Sequence, residues 1–438
     1  MKNLIITATF LFLSTICVAQ KLNTKKLDSL FQILEQNDKF MGSISVSQNG
    51  KLIYENTIGF INFEDSIKSN NTTKYRIGSI SKVFTAALVL KAIEENKLKL
   101  EQNLKDFYPK IANSEKITIK NLLNHSSGIH DFTRNKDYSN WNQIKQTKDI
   151  MIKRISGYTN DFTPNTESEY SNSNFVLLTY ILEDIYEKPF SELLKEKITN
   201  PLKLKNTYFG GKIDSKNNEA YSYSYLGKWN KESETDMSIP QGAGAIVSTP
   251  DDLNIFIKEL FDETIISKSS LEQMKNIENG YGLGLFLFPF DDKLSYGHTG
   301  GIDGFQSSTS YFPKDNVAIS LTSNAINYKN NDILLAVLGS FYGDGFNLPD
   351  FGKIELSVKD IEMYLGTYAS EQIPPKIIIS REGNTLLAQA TGQPAFPLEP
   401  TLKNIFVFEK AGVELEFKPD TEEMLMKQGG KEFLFSKE

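Results

Sequence analysis

The 438-residue chain has a single cysteine, Cys17, and it falls in a segment with the layout of a leader. Met1-Lys2-Asn3 precedes an apolar run from Leu4 to Val18 and the small residue Ala19, the pattern of a secretory signal peptide over residues 1–19, cleaved before Gln20. An uncleaved anchor is the competing reading, because Lys21, Lys25 and Lys26 follow, but the run is short for a spanning helix. Ile16 is bulkier than the residue that precedes the cysteine of a lipoprotein signal, which argues against lipid attachment. The mature chain then carries no thiol. That excludes disulfides and thiolate nucleophiles, and it leaves stability to the core alone. The expected location is outside the cytoplasm, in a bacterial periplasm or medium.

Other scarcities narrow the reading. Positive charge is not in excess: 48 Lys and Arg against 55 Asp and Glu give a net charge of -7, which argues against a nucleic-acid partner. Beyond the leader no apolar stretch is long enough to span a membrane. The three histidines, His125, His130 and His298, form no H-E-x-x-H pair and have no cysteine cluster beside them, so no metal is expected. The G-x-S-x-G elbow, the Walker loop and the dinucleotide glycine fingerprint are all missing. No cofactor is expected, and the partner that remains is a small substrate. Composition is silent on oligomeric state.

What is present is enough for two units. With 39% hydrophobic and 24% charged residues the chain is globular, and its length exceeds one ordinary domain. A polar, glycine-bearing link at about 343–353 separates residues 20–345 from a tail at 358–438. In the first unit, Leu27, Leu30, Phe31 and Leu34 predict an amphipathic helix. Ile44 and Val46 alternate with serines, and Asn49-Gly50 predicts a hairpin returning over 51–58. From about 100 to 235 the pattern is helical, with its best helix at 175–187. Strands resume at 282–288, 298–305, 307–312 and 317–323, and a helix closes the unit at 332–341. Strands at both chain ends with helices between them predict one α/β (α+β) sheet flanked by helices, with a helical lobe inserted. The tail reads as short strands and turns, hence a small antiparallel barrel.

Within the first unit, Ser79 and Lys82 precede the apolar run Val83 to Leu90. Three residues apart on a helix starting near Ser79, they share a face, so an amine reaches the serine hydroxyl. A serine needs a neighbour to take its proton, and a lysine buried in an apolar helix can be neutral enough to do so. The bland reading is a helix cap followed by a surface lysine. A triad of Ser126, His125 and Asp131 can also be drawn, but neighbours this close in a loop rarely form one.

Further stretches decide between these. Tyr170-Ser171-Asn172 lies before the best helix, and His298-Thr299-Gly300-Gly301 opens a late strand. S-x-x-K, then Y-x-N, then H-T-G, in that order, resembles the serine beta-lactamase and penicillin-binding-protein superfamily, nearest its class C lactamases, DD-carboxypeptidases, D-aminopeptidases and esterases. The stretches 122–129, 248–253 and 281–284 resemble the same family, over roughly 38–342. The tail, with Tyr364-Leu365-Gly366-Thr367-Tyr368, resembles a lipocalin-like domain. The resemblance implies that Ser79 attacks a carbonyl and that Lys82 and Tyr170 handle the protons. It gives Asn172 the tasks of holding Lys82 and the substrate's acyl amide. It places Thr299 and Gly300 at the substrate and makes the backbone N–H groups of Ser79 and Gly301 an oxyanion hole. It gives His298 the position of the lactamases' K-T-G lysine, where an imidazole of ordinary pKa would read a substrate carboxylate only while charged. His125 is expected to be structural, and Glu167 and Glu169 solvated. The implied activity is an exported serine hydrolase acting through an acyl-enzyme on a peptide, amide or ester. A true beta-lactamase and a slow-turnover penicillin-recognising sensor are the alternatives.

Overall fold

The computed structural model describes residues 22–438 other than 353 and 355, so the expected leader lies outside the described residues. Five helices frame the first unit: α1 (Thr24–Gln36), α2 (Ser81–Glu94), α3 (Asn172–Tyr186), α4 (Pro250–Phe261) and α5 (Asn330–Tyr342). Its main sheet uses β1 (Phe40–Gln48), β2 (Lys51–Ile58), β3 (Tyr223–Tyr225), β4 (Trp229–Lys231), β5 (Phe286–Phe290), β6 (Lys293–Ile302), β7 (Phe305–Phe312) and β8 (Val317–Ile326). The order along it is β5-β6-β7-β8-β1-β2, every neighbour antiparallel. β3 joins β8 in parallel through Tyr223 and Ala325.

The alternation in β1 explains the layers. Ile44 and Val46 face a core with Leu27, Phe31 and Leu34 of α1 and Ile333 and Val337 of α5. The serines on the other face are equally buried, and they meet Asn254 of α4. Asn254 Nδ2 donates to the Ser45 carbonyl at 2.9 Å, and its Oδ1 accepts from Ser320 Oγ at 2.8 Å. A buried polar seam of this kind is tolerated where Ser45, Asn254 and Ser320 satisfy one another. On that side α2, apolar on nearly every face, is sunk into the larger core, with Phe84 stacked on Phe256 at 3.6 Å. The lobe inserted between β2 and β5 contains α3 and the helices Ile119–Leu123, Lys148–Ser156 and Phe190–Leu194.

Three expectations are corrected. The hairpin after H-T-G turns at Asp303-Gly304, and β6 begins at Lys293, so His298 sits mid-strand instead of opening one. The strand expected at 282–288 runs at Phe286–Phe290. The helix expected at Ser79 starts at Ser81, after a single 3-10 turn over Gly78–Ile80.

The tail is a closed antiparallel barrel of eight strands: β9 (Gly366–Ala369), β10 (Ile377–Glu382), β11 (Thr385–Ala390), β12 (Phe396–Leu402), β13 (Ile405–Phe408), β14 (Val413–Lys418), β15 (Glu423–Gln428) and β16 (Lys431–Lys437). β9 pairs with both β10 and β16, which removes the edges. The barrel docks on the sheet through Lys39, only 2% exposed, whose ammonium pairs with Glu399 of β12; the Asn327 amide donates to the same carboxylate.

Candidate active site

Ser79 is held in the 3-10 turn that enters α2, with its side chain partly exposed. Lys82, one turn on, is fully buried. Its Nζ lies 2.9 Å from Ser79 Oγ, 2.8 Å from Asn172 Oδ1 and 2.7 Å from the Ala243 carbonyl. The rings of Tyr170 and Phe175 close over the amine at 4.8 and 5.6 Å. Burial pulls the Lys82 pKa down to about 7, and the charge of Asp131 opposes that fall. A sizeable share of the amine is therefore neutral near neutral pH, next to a serine hydroxyl. Tyr170 reaches the same hydroxyl, but burial raises its pKa further above the ordinary phenol value, so it stays protonated. Between the two, the lysine is the group able to accept a proton and the phenol the group able to donate one.

Asn172, the first residue of α3, uses both ends of its amide within the protein. Oδ1 accepts from Lys82, and Nδ2 donates to Asp131 Oδ2 at 3.0 Å. The side chain also lines the cleft over Ser79. Asp131 is buried and accepts from the Thr133 N–H and hydroxyl through its other oxygen. It enters the sequence reading only as a member of the Ser126/His125/Asp131 alternative, which the structure takes apart. Ser126 Oγ donates to Asn124, His125 Nδ1 accepts from the Ser171 N–H, and Asp131 holds Asn172. The His125 ring stacks on Tyr170 at 4.5 Å, so its position is a supporting one, as expected. Glu167 and Glu169 are exposed, and Glu169 pairs with Arg134.

The strand beside the serine is brought in by missing side chains. Gly78 has a φ of +51°, and a Cβ there would lie 2.8 Å from Gly301 N. At Gly300 a Cβ would lie 2.1 Å from the Ile77 carbonyl oxygen and 2.4 Å from Ser307 Oγ, which itself donates to that carbonyl at 2.8 Å. The serine turn and β6 thus touch backbone to backbone, with the Gly301 N–H next to the turn that carries Ser79. Arg76 fixes the same junction from behind. Its guanidinium, 2% exposed, donates to Asp303 at 2.8 Å, to Glu234 at 3.1 Å, and to the carbonyls of Thr235 and Gly211. It ties the strand before Ser79 to the hairpin after Gly301, a link with no local signature in the sequence.

His298 corrects an expectation. It is buried 4.5 Å from the Phe286 ring, and Nδ1 donates to the Thr299 carbonyl. Burial, with the nearby Lys82 charge, pushes its pKa down to about 3, so the ring is neutral at working pH and presents no cation to a carboxylate. Thr299 is exposed and lies outside the walls of the cleft over Ser79. That cleft has a volume of about 390 Å³ and includes Asn172, Tyr138, Ala243, Gly301, Glu232 and Asp303 in its walls. Glu232 and Asp303 are the only charged residues among those lining it.

The chain is similar to known proteins over most of its length. The chain is 25% identical over 430 residues to penicillin-binding protein 4* of Bacillus subtilis, covering 90% of this chain and 93% of that protein. It is 27% identical over 329 residues to the teichoic acid D-alanine hydrolase of Staphylococcus aureus, covering 71% and 77%. The octameric penicillin-binding protein homologue from Pyrococcus abyssi superposes with a TM-score of 0.66 at 23% identity, over 94% of this chain and all of that one. The family model described as Beta-lactamase matches residues 30–334, more than half of the chain, and the protein belongs to that family.

Proposed function

We propose that this protein is an exported serine hydrolase that cleaves a D-aminoacyl amide or ester whose α-amine is free. The observation that carries the reading is the contact of Ser79 with a buried Lys82 whose pKa is pulled down to about 7, at the floor of a cleft whose charged lining residues are Glu232 and Asp303. In the reaction, Ser79 Oγ attacks the acyl carbonyl as its proton passes to Lys82 Nζ. The N–H groups of Ser79 and Gly301 hold the oxyanion. Collapse breaks the bond to the amine or alcohol, which leaves with a proton handed on by Lys82 and the Tyr170 hydroxyl. Water, losing its proton to the again-neutral Lys82, then opens the Ser79 ester, and Lys82 returns that proton to Ser79 Oγ as the acid leaves. Asn172 and Asp131 orient the lysine and set its charge.

Glu232 favours an ammonium over a carboxylate, Asp303 being already paired with Arg76, and the neutral His298 offers a carboxylate no cation. That supports the aminopeptidase or aminoacyl-esterase type over the carboxypeptidase and lactamase types. The teichoic acid D-alanine hydrolase among the relatives supports the D-aminoacyl class, and the apolar leader at 1–19 supports export. The test compares D-alanine p-nitroanilide with its N-acetyl derivative. The free amine should be preferred at least about tenfold in kcat/KM, and Glu232→Gln should remove most of that preference. Preference for the acetylated substrate, or for acyl-D-alanyl-D-alanine, would overturn the assignment.

The lysine makes a second prediction. Labelling of Ser79 by an uncharged fluorophosphonate, which has no titrating group of its own, should accelerate with pH through about 7 and then level off. Because the Asp131 charge holds the Lys82 pKa up, Asp131→Asn should move that limb about 1 pH unit lower. A limb unmoved by Asp131→Asn would assign the titration to another group.

A further inference from the structure

A cavity of about 820 Å³ lies away from Ser79, at the end of the barrel that faces the sheet. The opposite end of the barrel is plugged by the rings of Tyr364, Phe406 and Phe417, with centroids 4.8 to 5.6 Å apart. At the open end the inward positions are Ile377, Ala388, Val413, Leu415, Met426 and Phe435, apolar and in two cases small. The first unit supplies the remaining wall with Tyr225, Leu226 and Ile326. Protein interiors are close-packed, and a cavity of this size with apolar walls offers water few partners. It falls within the volume range of small-molecule sites, which pair an apolar lining with a few oriented polar groups.

Those polar groups are specific here. Among the residues lining the cavity only Lys410 and Glu232 carry charge, and they interact with each other. Glu232 also walls the Ser79 cleft, so the two spaces adjoin at that residue. Crowding around the Lys410 ammonium lowers its pKa, while the Glu232 charge works the other way.

We propose that the open end of the barrel is a binding site for a long-chain carboxylate, the chain lying along the apolar wall and the carboxylate on Lys410 at the rim. An anionic head would compete with Glu232 for the one cation present. The apolar wall excludes a polar sugar or peptide, and a cationic head would meet Lys410. This assignment does not depend on the chemistry at Ser79.

The experiment titrates the mature protein with a dansyl-labelled undecanoic acid and, separately, with the neutral probe N-phenyl-1-naphthylamine. Both should bind saturably, and dodecanoate should displace them. Ala390→Trp, which fills the cavity from a half-buried position, should weaken both at least about tenfold. Lys410→Met should weaken the carboxylate probe at least about fivefold and leave the neutral probe within about twofold. Glu232→Gln should tighten the carboxylate probe by removing its competitor. An unchanged circular dichroism spectrum and a cooperative thermal unfolding transition show that each variant is folded. Absence of saturable binding, or binding indifferent to Ala390→Trp, would overturn the site, and an unchanged carboxylate affinity in Lys410→Met would overturn the head-group assignment.

Discussion

Ser79→Ala should lose all covalent labelling and at least about a thousandfold in kcat/KM, because a nucleophile and its base act as a unit. The neighbouring serine provides the internal control. Ser81 is fully buried at the start of α2, and its Oγ accepts from the Ile246 N–H at 3.1 Å, so it faces the packing between α2 and the short strand Ile246–Ser248. Ser81→Ala should label at the wild-type rate in whatever fraction folds. Label retained in Ser79→Ala and lost in Ser81→Ala would move the reaction to the wrong side of the turn and sink the proposed site. Following the wild-type label with a fluorescent penicillin over hours separates the remaining alternatives. Release of label means turnover, and a permanent label means a penicillin-recognising trap.

Gly300→Ala should reduce kcat about a hundredfold or more while the protein still folds. The added methyl would have to sit 2.1 Å from the Ile77 carbonyl oxygen, which is backbone and cannot swing aside. β6 must back away from the serine turn, and it takes the Gly301 N–H with it. Loss of one oxyanion donor costs about 3–4 kcal/mol of barrier, and overpacking a junction of this kind costs about 1–3 kcal/mol of stability. The two are told apart by assaying kcat well below the variant's Tm. Gly211→Ala serves as control, since nothing lies within 4 Å of its added carbon and its φ is unremarkable. A Gly300→Ala enzyme with wild-type kcat would show that Gly301 does not serve the oxyanion.

How far the sequence reached depended on how local each feature is. The hairpin at Asn49-Gly50, where both residues have positive φ, and the alternation of β1 are written in adjacent residues and were predicted in place. So were Ser79, Lys82 and Tyr170 as neighbours, because three motifs in order constrain one another. The barrel was legible as a class, but β12 was hidden by Pro397 and Pro400, residues that ordinarily argue against a strand. β9 is only four residues long, and in β15 the consecutive Met424, Leu425 and Met426 hide the alternation that its burial shows. Asp131, Arg76, Asp303 and Glu232 were not singled out because each acts on residues far along the chain, as in the Asp131–Asn172 and Arg76–Asp303 pairs. His298 shows the opposite failure. The sequence placed it at the start of a strand with an ordinary imidazole pKa, but it sits mid-strand, and burial against Phe286 is invisible in the sequence.

The central strand pairing of the sheet has a consequence for how the chain is made. β1 is among the first strands synthesised, yet one of its two partners is β8, so that Ser43 waits for Thr322 and Val46 for Ile319. At about 5–20 residues per second, the interval between the emergence of those partners is tens of seconds. Throughout it the serine-lined face of β1 lacks strand β8, and Asn254 too is missing for most of the interval. A nascent chain of this design cannot close its core ahead of its own C-terminal third, and so it remains threadable for most of the time it spends on the ribosome.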